Sequence, residues 1–290
     1  LDLLNSVKWI EKDEVLDDLL NHEDSLTLHP IDQGYEAEVL RISSNNARFV
    51  LKVWNKSSKP DVRFQFRLLH ELHERGLSVS RPLGWGNNLS GEMVLLTSFD
   101  GTPVHKVDGK KMADIANILA SIHQINIEEM VKLHLPKHDF TDYFFPGARE
   151  QHLDIYQAVV PLVQKTPIKH EHLIHGDFHL ANILEENGRY TVIDWTNGQL
   201  GDPRYDFAWS LILKKIYISE RYAEVFRSAY LLENDILQEE LEVFEALACL
   251  RWILLNRNGG TPKGPNTIER VQGLITNNPF LKELELEIFQ

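Results

Sequence analysis

The chain changes texture once, near residues 97–103, and that change limits what it can fold into. Before it, segments such as LTLHPIDQGYEAEVLRI and RFVLKVW alternate apolar and polar residues and are separated by the turn-like SSNNA and GNNLSG. Alternation of this kind, rich in β-branched and aromatic residues, predicts antiparallel strands. LSVSRPLGW and EMVLLTSF extend the same sheet, giving five strands. Two helices are predicted against it: an amphipathic one over residues 7–20 and one over 61–75, with Asp61 at its start and Gly76 as its stop. After DGTPV the periodicity is helical almost to the end, with KKMADIANILASIHQI as one helix. REQHLDIYQAVVPLVQK is another, expected to end or kink near Pro161. The exception is residues 172–195, where NIL and TVIDW flank EENGR as a small hairpin would. The expected class is α+β in two parts: residues 1–98, a sheet with helices, and 99–290, mostly helical and carrying the hairpin.

The bulk numbers narrow the function. With 290 residues, 43% apolar and 25% charged, the chain can build two cores. Its formal net charge of -13 disfavours nucleic acid as a partner, because phosphate-binding surfaces are built from Lys and Arg. It is also a reason to consider a cationic small-molecule acceptor. No apolar run is long enough for a membrane helix. The first residues mix acids into apolar positions and lack a basic start, so no signal peptide is expected. A single cysteine, Cys249, allows no intrachain disulfide, and cytoplasmic localisation is the simplest expectation. A monomer or a homodimer is expected.

The residues with the most chemistry lie in LIHGDFHLANIL, residues 173–184. His175, Asp177 and His179 spell H-x-D-x-H, which suits a catalytic metal in a hydrolase. The alternative is phosphoryl transfer. That reaction needs a carboxylate at the attacking hydroxyl and hard oxygen ligands for Mg²⁺ on the nucleotide phosphates. Asp177 and Asn182 on one tight loop, with Asp194 after the next strand, supply that set.

HGDFHLANIL followed by VIDW, and then by GDPRYDFA at residues 201–208, resembles the aminoglycoside phosphotransferase and choline kinase-like family of the protein-kinase-like fold. The resemblance implies a two-lobed enzyme with its site in the cleft and transfer of the γ-phosphoryl group of ATP, with Mg²⁺, to a hydroxyl of a small molecule. It implies Asp177 as catalytic base and Asn182 and Asp194 as metal ligands, with His175 and Asp206 supporting the loop. Lys52 on a predicted strand would meet the nucleotide phosphates, under a hairpin containing Gly34. Backbone groups of about Thr97 to Phe99 would bind the adenine edge. Where the family carries a Glu partner for the strand lysine, this chain has Gln65, which can accept a hydrogen bond without full charge. That departure keeps open a nucleotide-binding protein without turnover. Asp202 is expected to shape a turn, His123 to be a hydrogen-bonded core residue, and Trp54, Trp85, Trp195 and Trp209 to be packing residues.

Overall fold

In a computed structural model describing residues 3–22, 26–30, 37–44, 47–55, 57–58, 60–284 and 286–288, the alternating segments pair into an antiparallel sheet. Its strands are β1 (Lys8–Lys12), β2 (Thr27–Pro30), β3 (Ala37–Ser43), β4 (Arg48–Trp54), β5 (Pro82–Asn87) and β6 (Met93–Ser98). Among the described residues the order is β1-β5-β6-β4-β3-β2, six strands rather than five. The extra strand corrects the helix expected over residues 7–20. Lys8–Lys12 alternates exposed and half-buried positions, a period of two, and pairs with β5. The helix starts only at α1 (Glu14–Asn21), where Asp13 caps it by accepting from the Leu16 N–H. Leu16 and Leu19 of α1 pack with Ile42, Leu51 and Leu96 into one core. Each such side chain stabilises the fold by roughly 1.5–3 kcal/mol.

Helix α2 (Val62–Glu74) is capped by Asp61 as the sequence suggests, and it buries Val62, Gln65, Phe66, Leu68, Leu69 and Leu72. Beyond β6 the chain forms the short strand β7 (Thr102–Pro103) and then α3 (Gly109–His123).

The chain divides into two compact units, and the division differs from a cut at residue 98. The first unit is Leu1–Pro103 together with Ile183–Thr196; the second is Val104–Asn182 with Asn197–Gln290. The hairpin therefore belongs to the first unit. Its strands are β9 (Ile183–Glu186) and β10 (Arg189–Val192), and β9 pairs with β7. Val192 donates its N–H to the Ser78 carbonyl at 2.7 Å. Gly101, at φ +108°, lies against this hairpin: a Cβ there would sit 2.3 Å from the Glu185 carbonyl oxygen. Backbone hydrogen bonds to partners distant in sequence leave no mark in local periodicity, which is why the sequence boundary fell short.

The second unit is mostly helical. After α3 come α4 (Phe140–Phe144), α5 (Ala148–Gln151) and α6 (Leu153–Lys165). Pro161 lies inside α6 without ending it: the helix runs four residues further, and Ile155, Ala158, Val159 and Leu162 hold its apolar face. A two-stranded sheet pairs β8 (His172–Ile174) with β11 (Gln199–Gly201). The remaining helices are α7 (Pro203–Tyr217), α8 (Glu220–Glu233), α9 (Gln238–Arg257) and α10 (Thr267–Asn277). Helix α7 has a clear start signal: Asp202 caps it and Pro203 fills the first turn, where a missing N–H costs nothing. Asp202, expected to shape a turn, also accepts from Lys169 N–H and from the Arg204 guanidinium. No helix among the described residues is long and apolar enough to cross a membrane.

Candidate active site

The segment after β8 is held by one stripe of α7. Residues 206, 209 and 210, 213 and 214, and 217 recur at helical spacing and so share a face. Asp206, fully buried, accepts from the His175 N–H at 2.8 Å and the Gly176 N–H at 2.9 Å. One turn on, Trp209 donates its Nε1–H to Asp177 Oδ1 at 2.8 Å. Three consecutive residues of the loop are thus fixed by two successive turns of one helix.

Burial alone would push the Asp206 carboxyl up. The hydrogen bond from His123, with that from the His175 backbone N–H, outweighs it and holds the group below the usual carboxylate range. His123 Nε2 lies 3.1 Å from Asp206 and its Nδ1 lies 2.6 Å from the Tyr230 hydroxyl. A carboxylate only accepts, so Nε2 carries the proton and Nδ1 accepts from the tyrosine. His175 is also buried, and its Nδ1 accepts from the Asp177 N–H at 3.2 Å.

Gly176 sits at φ +78°, where a Cβ would lie 2.8 Å from Asn197 Cβ and 2.9 Å from its carbonyl oxygen. Gly176→Ala is expected to destabilise the fold by roughly 1–3 kcal/mol, from both the left-handed backbone and the clash. Urea denaturation of the variant checks this; an unchanged midpoint would show that the loop yields without cost.

Asp177 is held from several sides. Burial favours its neutral form, but His179, Arg251 and Trp209 together outweigh that and keep the carboxyl far below its ordinary range. His179 Nε2 lies 3.4 Å from Asp177 Oδ2. The same nitrogen is 3.3 Å from Asn182 Nδ2. One nitrogen cannot donate to the acid and accept from the amide at once, and the charged partner is the stronger. Asn182 Nδ2 donates to the Asp177 carbonyl oxygen at 3.0 Å, which leaves its Oδ1 as the free hard oxygen. Arg251 donates to the Gly176 carbonyl oxygen at 3.0 Å, and its guanidinium lies 4.1 Å from the Trp209 ring centroid.

Asp177, His179, Trp209, Lys214, Tyr217 and Trp252 help line a pocket of about 490 Å³ within the second unit, a size suited to a small ligand. Among the described residues, no group of three or more His, Cys, Asp or Glu side chains is arranged to hold a metal. His175, Asp177 and His179 are therefore not a convergent zinc-type triad.

In the first unit, Lys52 stands mid-strand in β4 opposite Val39 and Leu95. Its ammonium forms no hydrogen bond or ion pair with a described residue, Gln65 included. Asp194 follows β10 in the left-handed region at φ 64°, exposed, and accepts from the Thr196 hydroxyl at 2.7 Å. A non-glycine residue in that conformation costs of order 1–3 kcal/mol and is concentrated at functional sites. Ser98 donates its N–H to the Arg81 carbonyl and Phe99 donates to that of Arg48, while Thr97 is paired within the sheet. The N–H groups of 98 and 99 are thus already engaged, and the Ser98 carbonyl accepts from the Thr97 hydroxyl at 3.2 Å. Gly34 lies outside the described residues.

A sequence profile of the phosphotransferase enzyme family (APH) matches residues 27–244. The chain belongs to this family. The phosphotransferase also resembles solved structures of the protein-kinase-like fold. A thermostable mutant of aminoglycoside phosphotransferase APH(4)-Ia, in ternary complex with ADP and hygromycin B, is 16% identical with a TM-score of 0.63, over 89% of this chain and 96% of that one. Choline kinase LicA from Streptococcus pneumoniae is 16% identical with a TM-score of 0.59, over 91% and 97%. An ethanolamine kinase from Plasmodium vivax is 17% identical with a TM-score of 0.62, over 91% and 85%. Hygromycin-B 4-O-kinase from Escherichia coli is 50% identical over only 38 residues, 13% of this chain and 11% of that protein. The fold class of this phosphotransferase is α+β, with an antiparallel N-terminal sheet and a helical C-terminal part, as the sequence implies.

Sequence reasoning missed three residues of the site. Trp209 was read as packing, yet it donates to Asp177. Arg251 and Lys214 were passed over. The available signal was a cation within an apolar helical stretch, alone in ACLRWILL and one of a lysine pair in SLILKKI.

Proposed function

We propose that this phosphotransferase moves the γ-phosphoryl group of ATP, with Mg²⁺, to a hydroxyl of a small molecule. The reading rests on one observation: Asp177 is fixed by Trp209 and His179, held ionised, and placed on the wall of a ligand-sized pocket. An ionised carboxylate there can orient the acceptor hydroxyl and take its proton. Lys52 would orient the nucleotide phosphates. Asn182 Oδ1 and the Asp194 carboxylate are hard oxygens of the type that binds Mg²⁺. When bound, that ion would neutralise charge on the phosphate oxygens. The related structures with hygromycin B, choline kinase and ethanolamine kinase support a small acceptor. So does the short connection from Asp194 to α7, which holds only a turn of 3₁₀ helix (Trp195–Asn197) and β11. A protein kinase would need a longer segment there to seat a peptide.

The test is ADP release with Mg-ATP against a panel of amino alcohols, sugars, hydroxy acids, homoserine and aminoglycosides. Turnover on at least one acceptor, abolished by EDTA, is expected. A thermal shift with Mg-ATP but no turnover on any acceptor would favour instead a nucleotide-binding protein without transfer, the reading to which the non-acidic Gln65 lends weight.

A further inference from the structure

Lys214 is the most unusual charged group in the second unit. It is 2% exposed, and its ammonium meets no carboxylate among the described residues. It donates to Ser210 Oγ at 2.6 Å and lies 3.8 Å from the Phe226 ring centroid and 5.7 Å from that of Phe178. All three partners are neutral. The neighbouring Lys215 has the acid, Glu245, at 3.2 Å. Burying a cation without a counter-ion is costly, so an explanation is needed for its place on a pocket wall.

The rest of the pocket gives one. Its walls are mainly apolar and aromatic, with Trp209, Leu213, Tyr217, Trp252 and Leu255. Its single carboxylate, Asp177, is already engaged by Trp209 and His179. The Trp209 ring, which could otherwise receive a ligand cation, already carries the Arg251 guanidinium. A polycation would meet Lys214 here, and the one carboxylate among the lining residues is already engaged. Although the chain as a whole carries -13, this pocket holds a buried cation that has no acid of its own among the described residues.

We propose that the acceptor is a hydroxylated molecule with an apolar body and one anionic group, and that Lys214 receives the anion. The proposal rests on the phosphotransferase reading for the word acceptor, but the binding site stands on the pocket itself. It departs from the cationic acceptor that net charge suggests.

Burial draws the Lys214 ammonium down to about 7. The other titratable groups lining the pocket are Asp177 and His179 from the loop, His105 from the segment after β7, and Tyr217 on α7; α9 contributes Trp252 and Leu255 there, and α8 turns Phe226 toward the lysine. A group whose folded value lies below its unfolded one makes stability rise with pH between the two values. The penalty from Lys214 is therefore full below about 7 and is relieved toward 10.5. Lys214→Met should melt at a higher temperature than the parent at pH 7 and lose this part of the pH dependence.

Three probes share a benzyl body and a hydroxyl: 3-phenyllactate, its neutral amide, and the cationic phenylalaninol. Binding is followed by tryptophan fluorescence, since Trp209 and Trp252 line the pocket, and transfer by ADP release. The carboxylate is expected to bind about tenfold more tightly than the amide, and phenylalaninol most weakly. Lys214→Met should erase the carboxylate's advantage while leaving affinity for the amide within a few-fold. Tighter binding of the cation, no binding of the carboxylate at millimolar concentration, or an unchanged ratio in a folded Lys214→Met would each overturn the proposal. Binding in the expected order without ADP release on any acceptor would instead sink the phosphoryl-transfer reading and leave the anion site standing.

Discussion

Asp177→Asn is expected to lower kcat by about 10²–10⁴-fold while preserving the fold. The amide retains an oxygen for the Trp209 indole N–H, so the loop keeps its anchor. It loses the negative charge that His179 and Arg251 stabilise, and with it the capacity to accept a proton. Far-UV circular dichroism and kcat on the best acceptor of the panel check both halves. Full turnover by a pure, folded variant would remove Asp177 from the reaction. The same substitution has a signature in stability. A carboxyl depressed in the folded state contributes stability that is present above its unfolded value of 3.8 and lost as pH falls toward the folded value. The stability gap between parent and variant should therefore be constant near neutrality and close below about pH 4.

Asp206→Ala is expected to be the more damaging change to the fold. It removes the acceptor for the His175 and Gly176 N–H groups and for His123 Nε2 at a fully buried position. Leaving three donors unpaired in the interior should cost roughly 3–5 kcal/mol, well above the net worth of any one bond. For a chain of this size that corresponds to a fall in Tm of roughly 10 °C. Activity should fall with it, because the same donors set the position of Asp177. Urea denaturation at pH 7 measures the cost, and a loss below about 1 kcal/mol would show that water replaces the carboxylate at little expense. Asp206→Asn, which keeps one acceptor oxygen, should lie between parent and alanine variant.

What could be read from the sequence follows the range of the interactions involved. Helices such as α2, with Asp61 as its cap, were legible because cap, periodicity and stop all lie within fifteen residues. The loop motif was legible because Asp177, Asn182 and Asp194 lie close together in the chain. Strand β1 was not, since five residues before a strong cap look like more helix until β5 is known to lie beside them. Trp209 and Arg251 were hidden for a related reason. Their polar atoms are spent on Asp177 and on the Gly176 carbonyl, partners 32 and 75 residues away, and a buried aromatic or a lone arginine in an apolar run reads as packing. Lys214 was hidden most deeply. A cation in an amphipathic helix normally marks the solvent side, and only the position of α8, which places Phe226 over it, shows otherwise.

The attachment of Ile183–Thr196 to the first unit has a consequence for how the protein is made. When the ribosome has delivered residues up to Pro103, β7 still lacks its neighbour and Ser78 its backbone partner at Val192. Some eighty further residues must be synthesised before those edges can close. Residues 1–103 are thus not a severable module, and a gene truncated at the apparent seam would encode the six-stranded sheet without the hairpin that β7 and Ser78 pair with.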